Sequence, residues 1–148
     1  MNLSRCLFIA LGLCTFSIFP VWAQNDFAQA AAKEPGAKVT ASGLVFRSLQ
    51  DGQGSSPIAT DKVKVHYRGT FPDGKEFDSS YKRNQAIDFP LNGVIPCWTE
   101  GVQLMKVGGK AKLTCPPAIA YGSRGAGGVI PPNATLQFEV ELIAIAGK

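Results

Sequence analysis

Histidine is nearly absent from this 148-residue sequence: His66 stands alone, and no close pair of carboxylates accompanies it. A protein-held metal needs three or four convergent donors, so metal chemistry is excluded and no cofactor is expected. Cysteine is scarce as well, with four in all, and Cys6 and Cys14 fall within the apolar N-terminal run. Acidic residues number 11 against 15 basic ones, a net charge of +4 that is too mild to argue for nucleic acid. Lys62, Lys64 and Arg68 do cluster, but they alternate with Val63, Val65 and Tyr67 as the solvated face of a strand does. Long apolar runs are lacking with one exception, Cys6 to Phe19, whose 14 residues fall short of the roughly 20 that span a bilayer. No internal repeat is present.

That run follows Arg5, the only charged side chain before Asp26, and leads to Val21-Trp22-Ala23, small or permissive residues where a signal peptidase cuts. Residues 1–23 therefore read as a secretory signal peptide cleaved after Ala23, and the protein is expected in the periplasm or secreted, without stable membrane insertion after cleavage. A lipoprotein signal is disfavoured because Leu13 precedes Cys14. What remains, Gln24 to Lys148, is 125 residues with 14 basic and 11 acidic side chains, hence +3, and fits one domain with a sizeable core. Residues 24–38, rich in Ala and Gln and broken at Pro35-Gly36, are expected as a flexible tail or one loose helical turn. The domain proper is placed at 39–148.

Strand signals follow one another from Val39: Leu44-Val45-Phe46, then Lys62 to Phe71, a Pro72-Asp73-Gly74-Lys75 turn that suggests a hairpin, and Ile87-Asp88-Phe89. Trp98, Val102 and Met105 recur at spacings of four and three, a short amphipathic helix that Gly108-Gly109 stops. Leu136, Phe138, Val140 and Leu142 alternate with Gln137, Glu139 and Glu141 in the clearest strand. The two kinds of element must bury their apolar faces on each other, which gives an α+β domain with a curled antiparallel β-sheet wrapped around one short amphipathic helix. Tyr67, Phe77, Phe89, Trp98 and Phe138 are then expected to converge.

Cys97 and Cys115 remain after cleavage, in a compartment that permits oxidation. Lys110 and Lys112 alternate with Ala111, Leu113 and Cys115, which turns Cys115 inward toward the helix that Cys97 precedes. The pair either forms a disulfide, contributing about 3 kcal/mol in the chain-entropy picture, or remains as two free thiols. A cysteine nucleophile with His66 as base is disfavoured, since His66 faces away from Tyr67 and the cysteines lie in apolar surroundings.

Between Ile119 and Pro131, four glycines in seven positions (Gly122, Gly125, Gly127, Gly128) let the chain fold back and bring Tyr121 near Val129 and Ile130. The result is an apolar site with one polar handle. No helix follows these glycines and Pro131-Pro132 ends the loop, so it is no phosphate cradle.

Val65-His66-Tyr67-Arg68-Gly69, Asp73-Gly74-Lys75-Glu76-Phe77-Asp78-Ser79-Ser80, Val94-Ile95-Pro96-Cys97-Trp98, Met105 to Lys112, Ala120-Tyr121-Gly122 and Ile130-Pro131-Pro132-Asn133-Ala134-Thr135-Leu136 together resemble the FKBP-type peptidyl-prolyl cis-trans isomerases. The motifs keep that family's order from Val63 to Ile145. The resemblance implies catalysis of X-Pro rotation without covalent intermediates, with proline-containing polypeptides as substrates and macrolides as inhibitors. Trp98 would be the floor beneath the proline ring, Tyr67, Phe77 and Phe138 the walls, and Val94 and Ile95 the edge that hydrogen-bonds the peptide backbone. Tyr121 would offer its hydroxyl to a substrate carbonyl, Ile130 would contact the ring, and Asp78 and Arg83 would pair at the rim or orient the tyrosine hydroxyl. Phe89, Ile87 and Val129 complete the substrate-binding set.

The sequence departs from familiar members at Ile87 and Ala126, which often are Phe and His, at Cys97, usually Gly, and in a segment from Phe89 to Trp98 about two residues shorter. The competing reading is a non-enzymatic peptide-binding module or holdase using the same groove. Only about 15 residues separate the expected cleavage point from Val39, too few for a long helical arm, so a monomer is expected.

Overall fold

The computed structural model describes residues 21–148, so most of the expected signal peptide lies outside the described residues. The chain runs α1 (Val21–Ala32), β1 (Ala37–Val39), β2 (Val45–Gln50), β3 (Lys62–Thr70), β4 (Glu76–Ser79), β5 (Ile87–Pro90), α2 (Pro96–Gln103), β6 (Lys110–Cys115) and β7 (Leu136–Ile145). Every strand pairing is antiparallel. The seven strands form one sheet in the order β1-β2-β6-β7-β3-β4, with β5 also on β3. This is the expected α+β class.

Alternation sets the register. Val63, Val65, Tyr67 and Gly69 of β3 are buried on one face while Lys62, Lys64 and Arg68 are exposed on the other. Their cross-strand partners on β7 include Leu142, Val140 and Phe138, so the apolar faces of the two longest strands coincide. The hairpin predicted around Pro72–Lys75 joins β3 to β4. Helix α2 lies against the apolar face and contributes Trp98 and Val102 to one core with Leu113, Leu136, Phe138 and Val140.

Two expectations need correction. The supposed tail, residues 24–38, is largely helix α1, and the sheet begins at Ala37. Alanine, the best helix former, recurs at 23, 28 and 30–32, and Pro35-Gly36 ends the element as foreseen. Burial of Ala31 and the ion pairs of Glu34 with Arg47 (2.6 Å) and Lys112 (3.2 Å) hold this segment to the domain. Helix α2 also stops at Gln103, five residues before Gly108. There the chain tightens, with Leu104 N–H donating to Gly101 C=O and Met105 N–H to Val102 C=O, which still buries Met105. Gly108, at φ 90°, then turns the backbone so that its N–H reaches Leu142 C=O at 2.8 Å.

The turn between α2 and β6 is closed by a near contact of backbones. A Cβ on Gly52 would lie 2.5 Å from Val107 O and 2.7 Å from Gly109 N, and neither atom can swing aside as a side chain can. Gly52→Ala is therefore expected to cost about 2–3 kcal/mol of unfolding free energy in urea titration, at the upper end for an overpacked site.

Candidate functional site

Trp98 is the centre of the site. It sits in the first turn of α2, 5% exposed, and three rings from the sheet meet it edge-on: Tyr67 at 5.3 Å, Phe138 at 5.4 Å and Phe89 at 5.6 Å between centroids. Phe77 extends the cluster through an edge contact to Phe138 at 5.6 Å. The five aromatics expected to converge do so. Ile87 and Phe89, half-buried, stand opposite Val65 and Val63 and so share the apolar face.

The polar part of the site is an ordered triad. Tyr67 donates its hydroxyl proton to Asp78 Oδ2 at 2.5 Å, Arg83 Nη2 donates to the Tyr67 hydroxyl oxygen at 2.9 Å, and Arg83 Nη1 donates to Asp78 Oδ1 at 2.5 Å. The expected Asp78–Arg83 pair thus forms, and the phenol it orients is that of Tyr67. Burial alone would raise the Asp78 pKa, but the bonds from Tyr67 and Arg83 and the guanidinium charge outweigh it and bring the value below its ordinary 3.8. Burial, then the bond to Asp78, raises the Tyr67 pKa, so its phenol stays protonated at neutral pH. Ser80, fully buried and unremarked in the sequence, supports the same residue: Tyr67 N–H donates to its hydroxyl at 2.8 Å, and that hydroxyl also lies 2.9 Å from His66 Nδ1. The Asp-Ser-Ser string that contains it offered only motif membership as a signal. His66 stacks on Tyr81 on the opposite face, 4.7 Å between centroids, away from both cysteines' core position.

Val94 and Ile95 lie half-buried immediately before α2. The Ile95 carbonyl accepts from Trp98 N–H (2.9 Å) and Thr99 N–H (3.2 Å), while its own N–H has no acceptor among the described residues. Tyr121 is 39% exposed, and its hydroxyl likewise has no partner among them. Burial first, then the negative charge of Asp78, raises the Tyr121 pKa, which keeps the group a donor. Beyond it the loop closes on a two-way bridge in which Ala126 N–H donates to Ile130 C=O (2.9 Å) and Ile130 N–H to Ala126 C=O (3.0 Å). Gly125 makes this closure possible: it sits at φ 63°, and a Cβ there would run into the Ile130 carbonyl. Ile130 is buried with the core, whereas Val129 is 56% exposed, so the loop separates two residues that the sequence placed together.

Cys97 and Cys115 are joined in a disulfide with their Cα atoms 5.8 Å apart, and both are fully buried. Among the described residues no group of three or more His, Cys, Asp or Glu side chains could hold a metal ion. An open groove of about 440 Å³ lies elsewhere, lined by residues such as Lys38, Phe46, Ser48, Gln50, Leu104 and Lys106, and it includes none of the expected site residues. The groove is wide, open and largely polar, whereas the rings around Trp98 form an apolar cluster apart from it.

An antiparallel sheet with a short helix packed on its apolar face and five aromatic rings clustered at Trp98 defines an α+β domain. The sequence pattern of the family described as FKBP-type peptidyl-prolyl cis-trans isomerase matches residues 54–143, and the chain belongs to that family. It is 55% identical over 121 residues to the FKBP-type peptidyl-prolyl cis-trans isomerase FkpA of Aeromonas hydrophila, covering 82% of this chain and 45% of that one. To the FKBP-type 22 kDa peptidyl-prolyl cis-trans isomerase of Escherichia coli K12 it is 54% identical over 114 residues, 77% of this chain and 55% of the other. The chain thus spans about half the length of these curated relatives. The crystal structure of a peptidyl-prolyl cis-trans isomerase from Pseudomonas syringae pv. tomato DC3000 superposes with a TM-score of 0.79 at 41% identity, over 84% of this chain and 92% of that one.

The triad can be tested by titration. Because the folded Asp78 pKa is depressed, its contribution to stability is complete above the unfolded value and disappears as pH falls through the folded one. Tyr67→Phe removes one bond to the carboxylate, so carbon-detected NMR should find the Asp78 pKa higher than in the wild type and the acid dependence of stability shallower.

Proposed function

We propose that this chain is a peptidyl-prolyl cis-trans isomerase that acts on exported polypeptides by non-covalent stabilisation of a twisted X-Pro amide. The observation that carries the reading is the edge-on packing of Tyr67, Phe89 and Phe138 around Trp98, with the Ile95 N–H and Tyr121 hydroxyl free at the rim. Family membership supports it.

Amide resonance opposes rotation, and uncatalysed exchange takes tens to hundreds of seconds. A proline ring seated on Trp98 would bring the preceding carbonyl out of water, which disfavours the charge-separated planar form. Rotation needs no nucleophile, so the site has to bind the twisted amide better than the planar ones. Tyr121 and Ile95 would hold the flanking carbonyls by donated hydrogen bonds, and preorganised donors keep their value in a cleft that excludes water. The Asp78–Tyr67–Arg83 triad would fix the wall against which the ring lies and leave Tyr121 as the donor with a free hydroxyl. Phe77, Ile87, Val94 and Ile130 would bound the ring and its neighbours, with Val129 and Arg83 at the entrance.

A holdase that uses the same cleft is the second reading, favoured by the exposed apolar rim at Tyr121 and Val129. An NMR exchange or protease-coupled assay on an Xaa-Pro peptide separates the two. We expect Trp98→Ala to lower kcat/KM by about a hundredfold and Tyr121→Phe by about fivefold, the worth of one hydrogen bond. No acceleration by the wild-type chain, or aggregation suppression unchanged in both variants, would favour the holdase.

Export rests on the leader pattern and on the Cys97–Cys115 bridge, since disulfides persist in oxidising compartments. Cleavage after Ala23 would remove the first three residues of α1 and leave Gln24–Ala32. Intact-mass measurement of protein from the host should give a chain starting at Gln24 with both remaining cysteines oxidised; a retained Met1 would overturn the proposal.

A further inference from the structure

The indole N–H of Trp98 is buried without a hydrogen-bond partner among the described residues. A buried donor left unbonded costs free energy and also means that no directional bond sets the angle of the ring. Its neighbours provide little more. Helix α2 has only eight residues and no side-chain cap at Ile95, and a helix so short is marginal by itself. Its side-chain hydrogen bonds to the rest of the domain are few and end outside the strands: Thr99 Oγ1, next to Trp98, donates to Leu91 C=O at 2.6 Å, and Ser42 Oγ donates to Glu100 Oε2 at 2.5 Å. The first turn, which carries the floor of the cleft, is tied to the sheet by ring packing and by one covalent bond. That bond is the disulfide from Cys97, the residue before Trp98, to Cys115 at the end of β6.

The other end of the bridge is equally well placed. Cys115 is followed by Pro116-Pro117, a tight turn over Pro117–Ile119, and then Tyr121, six residues on. Ile119 and Ala120 pack on the core, so the turn passes the position of Cys115 on to the phenol. One bond therefore spans the two halves of the cleft, the floor on the α2 side and the hydroxyl donor on the β6 side.

We infer that the Cys97–Cys115 disulfide is a positioning element for peptide binding, which keeps Trp98 and Tyr121 in the arrangement that a proline segment recognises. The inference rests on the peptide-binding reading of the cleft. Without the bridge, α2's first turn samples other positions, the competent arrangement is a fraction of the population, and apparent affinity falls by that fraction while the bound complex is unaltered. A bridge serving only global stability would lower Tm and leave affinity untouched.

The test uses the Cys97→Ala/Cys115→Ala double variant at 10 °C. The dissociation constant for an Ala-Pro tetrapeptide is measured by NMR, and exchange broadening of the Trp98 indole resonance is followed without peptide. Expected are a weakening of about tenfold, a matching rise in KM at unchanged kcat, and a broadened indole signal. Gly52→Ala, destabilised far from the bridge, should keep wild-type affinity. As a second measurement, the wild-type bridge is opened in denaturant by a dithiol, which supplies two electrons and two protons to form two thiols and closes to its own disulfide; the refolded chain should match the double variant. An affinity within twofold of wild type and a sharp indole signal in the folded double variant would overturn the inference, whatever its Tm. So would failure of both bridgeless forms to fold, which would make the bridge a global stabiliser. Wild-type protein that binds the peptide without isomerising it would sink the isomerase reading alone, and the affinity comparison would still decide the role of the bridge.

Discussion

The packing of one indole against three rings of the sheet is the contact on which the rest of this domain depends. Trp98 is where α2 enters the hollow of the sheet, and Tyr67, Phe89 and Phe138 each present an edge to it. Edge-to-face pairs add about 0.5–1.5 kcal/mol each beyond the area they bury, so the cluster both anchors an eight-residue helix that would otherwise be marginal and forms the bottom of the cleft.

The two phenols, Tyr67 and Tyr121, are held differently. Tyr67 has its hydroxyl engaged by Asp78 and Arg83 and its backbone N–H by Ser80, so it is a fixed wall. Tyr121 stands on a loop with a free hydroxyl, and the charge of Asp78 reaches it only through space. An ordered carboxylate thus holds one phenol in place and, after burial, adds to the upward shift of the other's pKa. The disulfide has a similar double reach, since one end is the residue before Trp98 and the other precedes the turn that leads to Tyr121.

Period-two alternation in β3, β6 and β7 made most of the sheet legible, because a residue's face follows from its parity once the strand exists. The motif series from Val65 to Leu136 identified the family. Less was legible where local preference and tertiary contact compete. The Ala-rich stretch before Pro35 reads as a loose tail, but Glu34 meets Arg47 and Lys112 from strands far along the chain and secures a helix there. The end of α2 was misplaced because Gly108 looks like the stop, whereas the turn forms earlier to bring Met105 into the core.

By itself the sequence determined which residues face inward and which family pattern they follow, since these depend on residue type and spacing. Only the tertiary structure decided how the parts engage. It gave Asp78 and Arg83 to Tyr67, left the hydroxyl of Tyr121 free, buried Ile130 while exposing Val129, and brought Cys97 to Cys115. Each of these depends on how the chain packs in three dimensions around α2, which no local spacing encodes.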